Sequence, residues 1–299
     1  MTTAPGLTTA PQGELRLGAR TFAPDELVVM AVVNRTPDSF FDRGATFAEQ
    51  AALEAVDRAV DEGAAVVDIG GVKAGYGAVV DAEEEARRVV GFVERVRERH
   101  PEVVISVDTW RSDVGDAVCR AGADLLNDAW GGHDPALLEV AARHGAGYVC
   151  THTGGLAPRT DPHRPAYDDV VAEVVAALDE LAGRALAVGV RPDGIVIDPA
   201  HDFGKATRHS LEVTRRLDEL VAGGWPVLVA LSRKDFVGES LDLPPDERLE
   251  GTLAATAVSA MLGARLFRAH DVRATRRVLD MVACIRGTRQ PAVVRRGMA

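Results

Sequence analysis

Eight short apolar runs in this chain each end in a side chain that can hold charge or share a proton. The ends are Asn34, Asp68, Asp108, Asn127, His152, Asp198, the triplet Ser232-Arg233-Lys234, and Arg268 with His270. One such end could simply finish a loop, but eight in succession point to a site for a polar ligand. Asp108, Asn127 and Asp198 can exchange hydrogen bonds with a flat, nitrogen-rich ring, because a carboxylate meets an aminopyrimidine edge with the same two-pronged geometry it offers a guanidinium. Arg233, Lys234, Arg268 and His270 supply donors for an anion. The set therefore suits a heterocycle carrying phosphate. The sequence holds neither a GxSxG turn nor a convincing Cys–His arrangement, so no nucleophilic catalytic residue is assigned.

Each residue also has a plainer reading. Asp108 could cap a helix beginning near Ser112, Asp198 could organise a turn with Pro199, and Lys234 could be a surface lysine; within the full set the binding role is preferred for all three. Asp68 precedes Gly70-Gly71, and there a structural loop role is preferred. His152, His201 and His270 raise the question of a catalytic metal. Metal-hydrolase barrels usually open with a His-x-His pair after the first strand, whereas Asn34-Arg35-Thr36 stands here, so tightly bound zinc is not expected.

The positioning elements follow from periodicity. β-branched runs alternate with Ala/Glu/Arg-rich stretches, the pattern of a parallel sheet. Strands are expected at 27–34, 65–70, 103–109, 124–128, 147–152, 194–198, 226–232 and 265–270. Helices are expected near 48–62, 81–99, 112–121, 135–144, 168–188, 209–222, 249–262 and 273–286, several ending at a glycine suited to a left-handed cap. Eight such units predict a single (β/α)8 TIM barrel of the α/β class, whose active site lies at the C-terminal strand ends. A hairpin over Leu15–Phe22 should close the barrel bottom. The expected division is a disordered N-terminus over 1–14, the barrel over 15–287 and a flexible tail over 288–299.

Bulk properties narrow the function. With 299 residues, 46% hydrophobic and 26% charged, the chain matches a globular enzyme able to bury a large core. A net charge of -11 disfavours nucleic-acid binding, which usually needs a basic face. No apolar run reaches the roughly 20 residues a membrane span requires, and no signal peptide is read at the N-terminus. Three distant cysteines, Cys119, Cys150 and Cys284, suit reduced thiols in the cytoplasm.

The strand ends also carry a family resemblance. The segments MAVVNRTPDSFFDRG (30–44), VVDIGG (66–71), ISVDTWRSDV (105–114), LLNDAWGG (125–132), DPAHDFGK (198–205), LSRKDFVG (231–238) and RAHDV (268–272) resemble the successive motifs of dihydropteroate synthases, in the family's order. Those enzymes join 6-hydroxymethyl-7,8-dihydropterin pyrophosphate to 4-aminobenzoate and release pyrophosphate. The resemblance implies that Asp108, Asn127, Asp198 and Lys234 hold the pterin, with Arg268 stacking over it. Asn34, Arg268 and His270 would then bind pyrophosphate, Asn34 together with Mg2+, and the protein would be a homodimer.

The acceptor side departs from the family. Where a Glu-Ser-Thr-Arg-Pro-Gly type segment frames aminobenzoate, this chain has Val72-Lys73-Ala74-Gly75-Tyr76-Gly77. Asp235 replaces a common serine, near a helix start that receives the aminobenzoate carboxylate. The glycine-rich DPGxGFGK has become 198–205 with Ala200 and Asp202, Met-His-Met has become Thr151-His152-Thr153, and Arg35 replaces an apolar residue. The expected function is a diverged synthase paralogue with weak or absent ordinary activity, open to another acceptor. The alternatives are an ordinary synthase, a non-catalytic pterin-binding or regulatory protein, and a methyltetrahydrofolate methyltransferase; retention of the SRK and FGK segments favours the synthase branch over the last.

Overall fold

The computed structural model describes residues 13–36, 49–73, 75, 79–160 and 165–296. A hairpin of β1 (Leu15–Leu17) and β2 (Arg20–Phe22) precedes the repeating units. These run β3 (Val28–Asn34), α1 (Glu49–Asp61), β4 (Val66–Gly70), α2 (Ala82–Arg99), β5 (Val104–Asp108), α3 (Ser112–Arg120), β6 (Leu125–Asp128) and α4 (Ala136–His144). They continue with β7 (Gly147–Thr151), α5 (Val170–Ala187), β8 (Ile195–Asp198), α6 (Thr207–Arg215), α7 (Leu217–Val221), β9 (Leu228–Val229), α8 (Asp235–Leu241), α9 (Leu249–Met261), β10 (Leu266–Ala269) and α10 (Val272–Arg286). Among the described residues the sheet holds eight parallel strands in the order β8-β7-β6-β5-β4-β3-β10-β9. A parallel bridge between Ile197 and Val227 joins its two edges, which makes the sheet a barrel.

The two-residue period of a strand sorts the core into two layers. Val29, Ala31, Val67, Ile105, Leu126, Tyr148 and Phe267 point outward and pack under the helices. Their neighbours Val28, Met30, Val66, Val104, Leu125, Val149, Val196, Leu228 and Leu266 point inward and fill the lower barrel. The hairpin closes that lower end as expected: Leu15, Leu17 and Phe22 are fully buried in the inward cluster. Arg265, one residue before β10, pins it by donating to the carbonyls of Gly13 and Ala23, each at 2.7 Å. Gly147 opens β7 without a side chain because a Cβ there would lie 2.6 Å from Leu17.

Three expectations change. The strand expected over 226–232 shrinks to Leu228–Val229, because Pro226 has no N–H to give a ladder and serves only through its carbonyl, which accepts from Ile197 N at 2.9 Å. The helix expected over 209–222 breaks at Arg216, whose backbone leaves helical geometry. Helix α8 was not foreseen. The segment 288–296 is exposed and carries neither helix nor strand; residues 1–12, 37–48, 74, 76–78, 161–164 and 297–299 lie outside the described set, and with them most of the expected N-terminal segment and half of the rewritten stretch 72–77.

Phe22 seals the barrel bottom, so Phe22→Ala should lose about 3–5 kcal/mol of unfolding free energy. Chemical denaturation measures this; a loss below about 1 kcal/mol would mean the hairpin is not part of the core.

Candidate polar site at the C-terminal strand ends

The same inward parity that fills the lower barrel with Val and Leu places polar residues one and two steps higher. Above Val66 comes Asp68; above Val104 come Ser106 and Asp108; above Leu125, Val196 and Leu266 come Asn127, Asp198 and Arg268. Register sets them side by side: Asp68 pairs with Ser106, Asp108 with both Gly70 and Asn127, and Asp198 with Thr151.

Asp68 is fully buried and organises this layer. Its Oδ1 accepts from Ser106 Oγ at 2.6 Å. Its Oδ2 accepts from Asn127 Nδ2 at 3.1 Å and from Arg268 Nε at 2.6 Å. Arg268 Nη2 also reaches Asp108 Oδ2 at 3.2 Å. Asp68 is thus turned into the barrel and not engaged in its loop, correcting the structural loop reading. The one sequence signal for this was its two-residue spacing from Val66; its burial and partners come from the fold.

Electrostatics follow from this crowding. Burial pushes the Asp108 carboxyl up to about 7; Arg268 pulls it back, and Asp68 pushes it further. Burial works against charge on Arg268, but Asp68 and Asp108 outweigh it and hold its pKa above the ordinary value. Asp198 is raised by burial despite Lys234, and Lys234 is lowered by burial despite Asp202 and Asp198. One oxygen of Asp198 does organise the turn, accepting from Ala200 N at 2.7 Å. Asp108 makes no cap at α3, whose Ser112 N–H goes to Asp134 at 2.8 Å.

A cavity of about 170 Å3 opens above this floor. Asn34, Asp108, Lys234, Arg268 and His270 line it, together with Lys73 from the second loop. An aromatic cluster missed in the sequence backs the lining residue Phe203: Trp130 packs edge-on against it at 5.4 Å and against Trp110 at 6.4 Å. Asp128 explains its placement. Pointing outward, opposite in parity to Asn127, it accepts from Trp130 N at 2.9 Å and Gly132 N at 2.7 Å. Lys234 Nζ lies 4.9 Å over the Phe203 ring and donates to the His201 carbonyl.

Several expected donors serve other ends. Arg233, in the left-handed region at φ 57, turns its guanidinium to Asp271 and to the carbonyls of Pro245 and Asp246. His270 stays in the cavity wall, with Nδ1 3.0 Å from Ser232 Oγ, but burial and Arg268 push it down to about 4, so it is neutral near pH 7. His152 meets buried Lys205, whose Nζ is 2.8 Å from its Nδ1, and burial with that cation pushes it down to about 3. His201 is buried against Thr214. Among the described residues no group of three His, Cys, Asp or Glu side chains could hold a metal ion.

The loop after β8 and the start of α8 are acidic. Asp235 begins α8 and pairs with Arg248 at 2.8 Å. Asp202 bonds into the same helix through Phe236 N. Ala200 and Asp202 keep positive φ, 50 and 68, where the family pattern has glycine.

The pterin binding enzyme profile matches residues 30–270. The chain is 56% identical over 291 residues to a Mycobacterium leprae protein named inactive dihydropteroate synthase 2, covering 95% of this chain and 99% of that one. Its fold matches a crystal structure of Yersinia pestis dihydropteroate synthase with a sulfonamide drug complex at TM-score 0.87 and 33% identity, covering 92% of this chain and all of that one. It also matches the Thermus thermophilus enzyme in complex with 4-aminobenzoate at TM-score 0.81 and 38% identity, covering 91% and 99%. With the profile spanning every strand from β3 to β10, the chain belongs to the pterin binding enzyme family, and within it to the dihydropteroate synthases and their diverged paralogues.

Proposed function

We propose that this protein binds 6-hydroxymethyl-7,8-dihydropterin pyrophosphate and condenses it with 4-aminobenzoate weakly or not at all. The observation that carries this reading is the contrast between the two edges of one site. Asp108 and Lys234 line the cavity, Asn127 joins the buried Asp68 layer and Asp198 ends β8 at the same side of the barrel, while Asp235 begins α8 and Asp202 bonds to it from the loop after β8. The name of the Mycobacterium leprae relative supports the same division.

On this reading the floor carboxylates accept from the aminopyrimidine edge, and Phe203, backed by Trp130, excludes water from one side. Arg268, freed from Asp108 by the incoming ring, would reach the phosphates together with His270. Departure of pyrophosphate leaves a pterin methylene with cationic character, which fixed carboxylates stabilise electrostatically. Mg2+, when bound, would neutralise the leaving anion. Asn34 offers it one amide oxygen in the cavity wall, and the lack of a carboxylate or histidine cluster among the described residues suits an ion that keeps phosphate oxygens and water as most of its ligands.

We also infer a cytoplasmic homodimer. Three free thiols are in keeping with that compartment, and no helix among the described residues is long and apolar enough to cross a membrane. Val258 and Met261 on α9 and Met281 and Ile285 on α10 form an exposed apolar face on two helices that pack together, the type of surface that a second copy covers.

Calorimetry with pterin pyrophosphate and Mg2+ should give saturable binding, abolished or weakened at least about tenfold in Asp198→Asn, where one buried charge-assisted contact worth about 1.5–3 kcal/mol is lost. Purified protein supplied with 4-aminobenzoate should release little or no pyrophosphate; robust turnover would overturn the divergence, and no pterin binding would overturn the site. In sedimentation the 31.7 kDa chain should run at twice its mass, and Met281→Lys with Ile285→Lys should return it to one; a wild-type monomer would refute the dimer.

A further inference from the structure

The rim of the barrel is divided by chemistry. Asp108, Asn127 and Asp198 stand at the upper ends of β5, β6 and β8. The other arc is formed by β4, β3, β10 and β9, which are consecutive neighbours in the sheet. Along β3 the inward parity set by Val28 and Met30 runs on through Val32 and Asn34 and, just past the strand end, to Thr36. Arg35, of opposite parity, places its guanidinium over the Phe92 ring at 4.8 Å instead. Thr36 therefore lines the cavity, as does Lys73 from the loop after the adjacent strand β4.

Thr36 is only 2% exposed, and its Oγ1 is buried without a hydrogen-bond partner. A hydroxyl removed from water and left unpaired costs free energy, so one that faces a cavity calls for a partner inside that cavity. Lys73 adds charge beside it. Among the described residues Lys73 makes neither a hydrogen bond nor an ion pair. The other lysine and the arginine of the cavity are engaged: Arg268 by Asp68 and Asp108, Lys234 by the His201 carbonyl and the Phe203 ring. An apolar occupant would leave the Thr36 hydroxyl unpaired, and a cationic one would be repelled by the ammonium. A phosphate oxygen accepts from both groups at once, in charge-assisted bonds. Lys73 belongs to the rewritten second loop, so this contact is a property of this chain and not one carried over with the retained motifs.

Building on the proposed pterin side, we propose that Thr36 and Lys73 are diphosphate-binding residues of this site, Thr36 donating its hydroxyl to a phosphate oxygen and Lys73 supplying the charge. The test is calorimetric titration of inorganic pyrophosphate into the full chain in Mg2+, with phosphate-free 6-hydroxymethyl-7,8-dihydropterin titrated in parallel. Lys73→Met keeps the stem and removes the charge; it should weaken pyrophosphate binding about tenfold and flatten its dependence on salt. Lys73→Arg should bring affinity back to within about threefold of wild type, because a point charge is restored. Thr36→Val should weaken pyrophosphate about fivefold without lowering the unfolding midpoint, since the hydroxyl has no protein partner to lose. Affinity for the phosphate-free pterin should change by less than about twofold in either variant. Unchanged pyrophosphate affinity in Lys73→Met or in Thr36→Val, an equal loss of both ligands, or no pyrophosphate binding by wild type overturns the proposal. A wild type that binds pyrophosphate through these residues but not the phosphate-free pterin upholds the anion site and strikes the pterin reading instead.

Discussion

Asp68 places a carboxylate where water cannot reach it, at mid-height inside the barrel. An isolated charge there would be very costly unless paired and hydrogen-bonded. The structure meets that demand with Ser106 from β5, Asn127 from β6 and Arg268 from β10. Four strands are thereby tied at one level, and the polar floor above them inherits its geometry. Arg268 in turn reaches Asp108, so the charge of that carboxylate depends on the residue that neutralises Asp68. Taking the guanidinium away would leave buried acids facing one another, which makes Arg268 a structural counter-ion.

This interdependence explains how one half of a site can persist while the other changes. Residues on the floor are inward-facing strand positions, locked by register and by each other's charges. The edge made of the loop after β8 and the first residues of α8 lies off these strands, and there Asp202 and Asp235 satisfy their charges locally through Ser210, Phe236 and Arg248. Such local pairs alter the chemistry of the edge without disturbing the barrel beneath it.

Much of this was legible in the sequence because a strand has a period of two and a barrel has only one inside. The apolar residue that fills the lower layer announces the parity of the polar residue above it, as Leu125 does for Asn127 and Val196 for Asp198. What was not legible depends on three-dimensional partners. Asp68 looked like a loop residue because Gly70-Gly71 follow it, while its partners are 38, 59 and 200 residues away. Arg233 looked like an anion donor, but its positive φ aims the guanidinium at Asp271. His270 carries no motif-level sign that burial beside Arg268 leaves it neutral. The aromatic cluster was hidden for a different reason: Trp110 and Trp130 lie just past the strand ends, and only the loop bonds of Asp128 show how Trp130 is turned against Phe203.

The central claim is that the pterin half of a synthase site survives here beside an acceptor half that no longer serves 4-aminobenzoate. Expression of this chain in a bacterial strain lacking its own dihydropteroate synthase tests it most directly. The account predicts no growth without supplied folate end products although the protein accumulates in folded form; growth matching that given by an ordinary synthase would contradict it.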